Sequence, residues 1–475
     1  MEDIKKGSIK KNYLYSIFYQ GLTYLTPLIT IPYLSRILGP DGIGEISYIE
    51  SIVAYFVLAA NMGANTYGQR EISYYQNDRK RRSTIFWNVK IFSLCMGSLS
   101  VFMYLLWSVI SKNSLLYVII SMNIVSAIVD VTWFYKGIEN FKLIVIRNSL
   151  VKIVGVVLIF GVVKDRGDLY LYALIVVMTL FMGNASLWLK LPDYIDLISI
   201  SELDPFSNTK KIISLFLPEI AITMYTVLDK TMLGSITGIM TENGYYEQAM
   251  KITRMVLAII TSMGSVVMPR IGALYGQGDN ETAKKLVYTN YEFVWAIGIP
   301  LCFGMIGIAD SFVPWFLGIE FEKVITLLHI VPLIILFVGI SNVTGWQYLV
   351  PNKKEKIVTF TVFIGAVVNF ILNLFMIRLF NSVGAAIASV IAELIVSIIQ
   401  LIIVRKEINT WSILKKGIPY SVAAMVMLII LRIENSFCPS NILGTLIMIV
   451  SGFLIYLILL MLFFRERILA LIKGL

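Results

Sequence analysis

The sequence predicts an all-α integral membrane protein of about fourteen transmembrane helices. Three observations predict it. Of 475 residues, 57% are hydrophobic and only 15% charged, with a mean hydropathy of +0.79. Apolar runs of about 20 residues recur along the chain, the length that crosses ~30 Å of hydrocarbon. These runs lack the alternation of barrel strands, and a lipid-embedded backbone must satisfy its own hydrogen bonds, which leaves helices.

Taken in order, the spans fall at 12–35, 45–65, 85–110, 114–135, 144–163, 168–189, 211–235, 243–268, 287–310, 324–349, 357–377, 382–404, 412–431 and 441–464. The first follows a basic stretch, lacks a small-residue cleavage site and is too long for a signal peptide, so it reads as a retained helix. Leu38-Gly39-Pro40 separates it from the second, and Asp78-Arg79-Lys80-Arg81-Arg82 precedes the third. Trp133 ends the fourth before a basic loop, and Trp346 does the same for the tenth. The seventh and eighth are unusual in carrying six charges between them: Glu219, Asp229, Lys230, Glu247, Lys251 and Arg254. The remaining spans are bounded by short polar or basic turns, and no connection leaves room for a soluble catalytic domain.

Charge placement supports this map. With a cytoplasmic N-terminus, the inner segments hold 28 Lys and Arg and the outer loops 7, as the positive-inside rule requires. Both termini are then cytoplasmic. The net charge of +10 therefore belongs to a membrane surface and does not point to nucleic acid. Cys95, Cys302 and Cys438 are far apart and show neither metal spacing nor a disulfide framework.

The chain repeats itself. Arg36-Ile-Leu-Gly39 leads to Gly44-Glu-Ile-Ser-Tyr-Ile-Glu-Ser-Ile52; Thr231-Met-Leu-Gly234 leads to Gly244-Tyr-Tyr-Glu-Gln-Ala-Met-Lys-Ile252. Arg70 closes span 2, and Arg270 closes span 8, 200 residues later. Six spans per unit makes two parallel six-helix repeats around a central cavity, plus two C-terminal helices. The expected lobes are 1–200 and 201–408, with 409–475 as the added pair.

A charge at bilayer depth costs a few kcal/mol or more, so it usually faces a bundle interior or a wet cavity. On span 7, Glu219, Thr223, Thr226 and Lys230 share one helical stripe; on span 8, Glu247, Lys251 and Arg254 share another. Glu247 is placed to pair Lys251, leaving Arg254 without a partner on its stripe. Arg254, Lys251, Lys152 and Lys230 are candidate cavity cations for an anionic headgroup, Arg being suited to phosphate by its two-pronged fork. The alternative is internal ion pairs, or snorkelling to the interface. Lys90, one turn from the inner face, is expected to snorkel. Glu219, Glu50, Asp130, Glu393 and Glu292 are candidates for ion coupling or gating, against interfacial or structural roles. Arg70 and Arg270 either complement helix C-termini or guard a cytoplasmic entrance. The lone His329 reads as structural. Tyr24 and Trp346, with Gln20 and Gln347, are weak candidates for stacking on sugar or bonding it. No G-x-x-x-x-G-K-[ST] sequence occurs, so nothing marks nucleotide-driven pumping, and no cofactor or metal is expected.

Several of these parts resemble the Wzx-type flippases for lipid-linked oligosaccharides, of the superfamily that also holds the multidrug and toxic-compound extruders and the lipid II flippases. The resemblance rests on Pro32, Leu38-Gly39-Pro40 and Gly44, on Arg70-Glu71, on Leu233-Gly234 with Gly244-Tyr-Tyr-Glu-Gln-Ala249, and on Pro269-Arg270. It implies a bacterial inner-membrane transporter, not an enzyme. Such a protein takes an undecaprenyl-diphosphate-linked repeat unit from the cytoplasmic leaflet into a basic cavity and releases it outward by alternating access. Proton or sodium coupling, or the membrane potential, would drive it. The product would feed capsule, exopolysaccharide or other surface-glycan synthesis, with membrane lipids and a glycan polymerase as partners. A drug or cation exporter of the same superfamily, a twelve-helix major-facilitator transporter and a membrane glycan polymerase are the alternatives. The exporter would call for carboxylates in place of cations, the facilitator for glycines near Asp78–Arg82, and the polymerase for an acidic or histidine-bearing loop.

Overall fold

The structure, a computed structural model, describes residues 9–110 and 113–464. Every described element is helical. The α-helices are α1 (Ile9–Asn61), α2 (Ala64–Tyr74), α3 (Arg79–Val109), α4 (Ser114–Val129), α5 (Thr132–Gly137), α6 (Phe141–Val162), α7 (Leu169–Ser186), α8 (Thr209–Thr237), α9 (Met240–Gly276), α10 (Asn280–Phe293), α11 (Ile299–Phe316), α12 (Lys323–Leu328), α13 (Leu333–Ser341), α14 (Glu355–Val404), α15 (Thr410–Asn435) and α16 (Ile442–Phe463). They group into two compact units, Met1–Thr231 and Met232–Leu475. Eleven helical stretches among the described residues are long and apolar enough to cross a membrane.

Two of these stretches each hold a pair of the expected spans. α1 breaks at Gly39, where φ is 67° and ψ 175°, backbone that side-chain-bearing residues avoid. α14 breaks at Asn381, with φ 52° and ψ −127°. A Cβ on Gly384 would lie 1.9 Å from the Met376 carbonyl oxygen, so the chain can return this closely only over a glycine.

Lipid tails are as apolar as leucine, so close fit rather than hydrophobicity holds such helices together. In the first unit α3 approaches α4 over Gly97, where a Cβ would stand 2.3 Å from Ile128 Cγ1. Phe86 stacks on Trp133 at 5.5 Å and meets Phe134 edge-on at 5.4 Å. The Tyr135 hydroxyl donates to the Leu187 carbonyl at 2.7 Å.

The fourth expected span is not one helix. α4 stops at Val129, Asp130 takes φ −58° and ψ 128°, and α5 restarts at Thr132. A helix end leaves its last carbonyls without partners. Here side chains supply them. Trp188 Nε1 donates to Val129 O at 2.8 Å and Lys90 Nζ to Ile128 O and, at 3.3 Å, to Asp130 O, while Asn184 adds a second donor at 2.9 Å to Ser126 O, which already accepts from the Asp130 N–H. Lys90, one turn inside the start of span 3, was expected to snorkel to the membrane surface and does not. It is 2% exposed, lies 5.0 Å over the Trp188 ring and serves the broken helix.

In the second unit, Glu242 caps the restart of α14, accepting from Ser382 N at 3.1 Å and Ser382 Oγ at 2.5 Å; Lys323 neutralises it at 2.5 Å. Two π-helical turns, Val294–Gly298 and Asn342–Leu349, widen the backbone. The residues beside and within them bond across: Asn290 Nδ2 to Gln347 Oε1 and Tyr291 to Thr344, both at 2.6 Å. Asp310 accepts from Arg432 at 2.7 Å and lies 3.3 Å from His329. Beyond α14, Glu407 takes Lys354 at 2.5 Å and the Tyr348 hydroxyl at 2.6 Å. These bonds hold its carboxyl below the usual carboxylate range.

Two outcomes follow from these contacts. Lys90→Ala strands two buried carbonyls and is expected to destabilise the first unit by about 2–4 kcal/mol, read as a lower thermal midpoint in detergent. A depressed folded pKa means that stability is present above the unfolded value and is lost as pH falls through the folded one. Glu407→Gln is therefore expected to lower the thermal midpoint at pH 7, with the gap to wild type closing as pH falls from the ordinary carboxylate range through the depressed folded pKa.

Candidate functional site

A cavity of about 760 Å³ opens within the first unit among α1, α4, α7 and α8. Its wall brings together three carboxylates: Glu50 from α1, Asp130 from the α4 break and Glu219 from α8. The amides of Asn61, Asn123 and Asn184 and the hydroxyls of Thr223 and Thr226 complete the polar surface, and Val53, Val57 and Leu180 supply apolar wall. Among the described residues this wall holds no Lys or Arg.

Each carboxylate is positioned. Thr66 Oγ1 donates to Glu219 Oε1 at 2.6 Å. Asp130 Oδ1 accepts from the Thr132 backbone N–H at 2.8 Å and from the Thr132 hydroxyl, a turn that exists only because the helix breaks there. Arg147 Nη2 donates to that same hydroxyl oxygen at 2.9 Å. Glu50 is also engaged by a neighbour. A second polar pocket of about 400 Å³ shares Asp130 and Asn184 with the cavity, and its wall includes Lys136 and Arg147. The arrangement sets three carboxylates on the wall of one cavity and, across the shared Asp130, two bases on the wall of the next.

The structure thus gathers Glu50, Asp130 and Glu219 of the expected coupling residues. The stripe Glu219, Thr223 and Thr226 lines the cavity as its spacing requires, but Lys230 lies outside the wall. Lys152 donates to Thr23 Oγ1 at 2.6 Å and is not in the wall either. Lys251 pairs Glu247 at 3.0 Å as expected, and Arg254, exposed on α9, is itself engaged. Glu292 accepts from Tyr420 at 3.3 Å, and Glu393 is half-buried on α14. Arg70 pairs its neighbour Glu71 at 3.2 Å, and Arg270 is exposed on α9. Gln347 is committed to Asn290, and the side chains of Gln20 and Tyr24 lie outside the described residues. Sequence reasoning missed Asn61, Asn123 and Asn184. An uncharged amide inside an apolar run was the available signal.

Residues 9–275 match the family described as polysaccharide biosynthesis protein, more than half of the chain. A protein of Shigella dysenteriae described as an O-antigen transporter is 24% identical over 402 residues, covering 83% of this chain and 99% of that one. The low-salt glycan biosynthesis flippase Agl15 of Haloferax volcanii is 21% identical, over 82% of this chain and 81% of its own. Among solved structures, the lipid II flippase MurJ in an inward closed conformation superposes with a TM-score of 0.76 at 16% identity, covering 96% of this chain and 100% of that one. At that identity the likeness concerns the fold. The resemblance read from the sequence is borne out: this multi-pass membrane chain belongs to the polysaccharide biosynthesis protein family.

Proposed function

We propose that the protein moves lipid-linked oligosaccharide units, carried on undecaprenyl diphosphate, from the cytoplasmic to the outer leaflet of a bacterial inner membrane by alternating access. A diphosphate and several sugars cannot cross hydrocarbon unaided, and the observation that carries the reading is a large polar cavity inside a lipid-facing bundle of this family. Glu219, Glu50 and Asp130 are the coupling groups, taking a proton or sodium ion, and Glu393 and Glu292 are secondary candidates. Arg254, Lys251, Lys152 and Lys230 are candidate cations along the path of the anionic headgroup. Arg70 and Arg270 guard the cytoplasmic entrance. Both termini face the cytoplasm in this topology, and the product serves capsule or other surface-glycan synthesis.

One observation favours a second reading, a cation exporter. The described cavity is acidic, which suits a cationic cargo as well as a coupling ion. Transport in liposomes separates the two. The flippase reading expects protein-dependent movement of an undecaprenyl-diphosphate-linked oligosaccharide between leaflets. Arg254→Ala is expected to slow it about tenfold or more, the order of one lost charge-assisted hydrogen bond. Asp130→Asn and Glu219→Gln are expected to abolish its response to an imposed ion gradient. Uptake of tetraphenylphosphonium with no movement of the glycan lipid would establish the exporter instead.

A further inference from the structure

A third concavity of the first unit has no role in the function above. It is an open groove of about 620 Å³ between α6 and α7, lined by Leu150, Val154 and Leu158 on one side and Met178 and Met182 on the other. These side chains face outward, Leu150 being 57% and Met182 60% exposed, as lipid-facing residues are. Two cations close one end: Arg147, near the start of α6, and Lys190, just past the end of α7.

Arg147 belongs to two concavities at once. It lines the apolar groove, and it also lines the polar pocket that holds Asn65, Gln69, Asn148 and Lys136. Gly183 makes this passage possible. A Cβ there would stand 2.5 Å from Val151 Cγ2 and 3.4 Å from Arg147 Cδ, so the arginine stem lies against bare backbone. On the far side its Nη2 reaches the Thr132 hydroxyl at 2.9 Å. In sequence along one path stand an apolar groove, a guanidinium, and a pocket of amides, hydroxyls, a lysine and the Asp130 carboxylate.

That order is the chemical order of one class of molecule: hydrocarbon tail, phosphate, sugar. We propose that the groove between α6 and α7 seats the isoprenoid tail of a lipid-linked glycan. Arg147 and Lys190 hold its phosphate, and its first sugar enters the amide-lined pocket. The assignment rests on the lipid-linked-glycan reading above. Charge complementarity selects an anionic lipid, and the pocket beyond Arg147 separates a sugar-bearing lipid from bulk phospholipid. From Arg147 to Leu158 the groove runs about 16 Å along the helix, about the depth of one leaflet.

The test uses the full-length protein in nanodiscs, with the photoreactive residue p-benzoylphenylalanine in place of Val154 in the groove or Ile153 beside it. Ile153 is 49% exposed to lipid but does not line the groove. The probe is radiolabelled undecaprenyl diphosphate bearing one N-acetylglucosamine, against radiolabelled phosphatidylglycerol. The expected result is glycan-lipid adduct at position 154 several-fold above position 153. It should fall about tenfold in Arg147→Ala and be partly kept in Arg147→Lys, as loss of a two-pronged phosphate contact requires. Lys190→Ala, an exposed site that folding tolerates, should lower it as well. Equal labelling at 153 and 154, or phosphatidylglycerol labelling 154 as strongly as the glycan lipid, overturns the proposal. Leaflet movement measured on the same preparations keeps the two ideas apart. Movement without groove labelling removes the groove and leaves the transport reading, whereas selective labelling without movement supports the groove and counts against transport.

Discussion

In hydrocarbon a backbone carbonyl without a donor has no water to turn to, and the first unit is organised by that constraint. α4 ends inside the bundle, so its last-turn carbonyls must be met by side chains. Lys90 comes from α3, Asn184 from α7 and Trp188 from the turn after it. One helix break therefore ties three elements together. It also releases Asp130 from helical geometry, letting its carboxylate accept from Thr132 and stand in the walls of two polar concavities. An unbroken helix would bond the Ile128 and Val129 carbonyls within itself, leave Lys90 buried without its acceptors and turn Asp130 onto an ordinary helical stripe.

The spans were legible because the bilayer imposes one length and one hydrogen-bonding solution on any stretch that crosses it. Gly39-Pro40 was legible as a break for the same reason: few residues tolerate that backbone, and those that do stand out. The α4 break was not legible. Ile128, Val129 and Val131 read as continuous apolar helix, and the donors that stabilise the break arrive from residues nearly 40 positions before and more than 50 after. Lys90 was accordingly read as snorkelling to the interface when it is buried at the break. The stripe Glu219, Thr223 and Thr226 was legible because it is local to one helix, whereas Asn61, Asn123 and Asn184 gain meaning only when three helices converge. Local periodicity exposes a face; it does not say which faces meet.

The two polar concavities of the first unit differ in charge. The larger holds three carboxylates with amides, and the smaller adds Lys136 and Arg147 to the shared Asp130. Glu219 and Asp130 accept from hydroxyl and backbone donors, which stabilise charge without adding a full counter-charge. The arginine is held by Thr132, whose hydroxyl can accept from Arg147 while donating to Asp130. A threonine suits the joint because one oxygen does both.

That joint connects the proposed cation site to the proposed phosphate site through one side chain. A cation or proton at Asp130 cancels the negative charge that draws on Arg147 through Thr132. The guanidinium then has more of its field to offer a phosphate in the groove. Coupling of this kind is reciprocal, so a phosphate at Arg147 favours a cation at Asp130 by the same free energy. The two sites then bias each other's occupancy through one hydroxyl. It also explains why a hydroxyl stands between acid and base. An oxygen that accepts from one side and donates to the other passes polarisation between them.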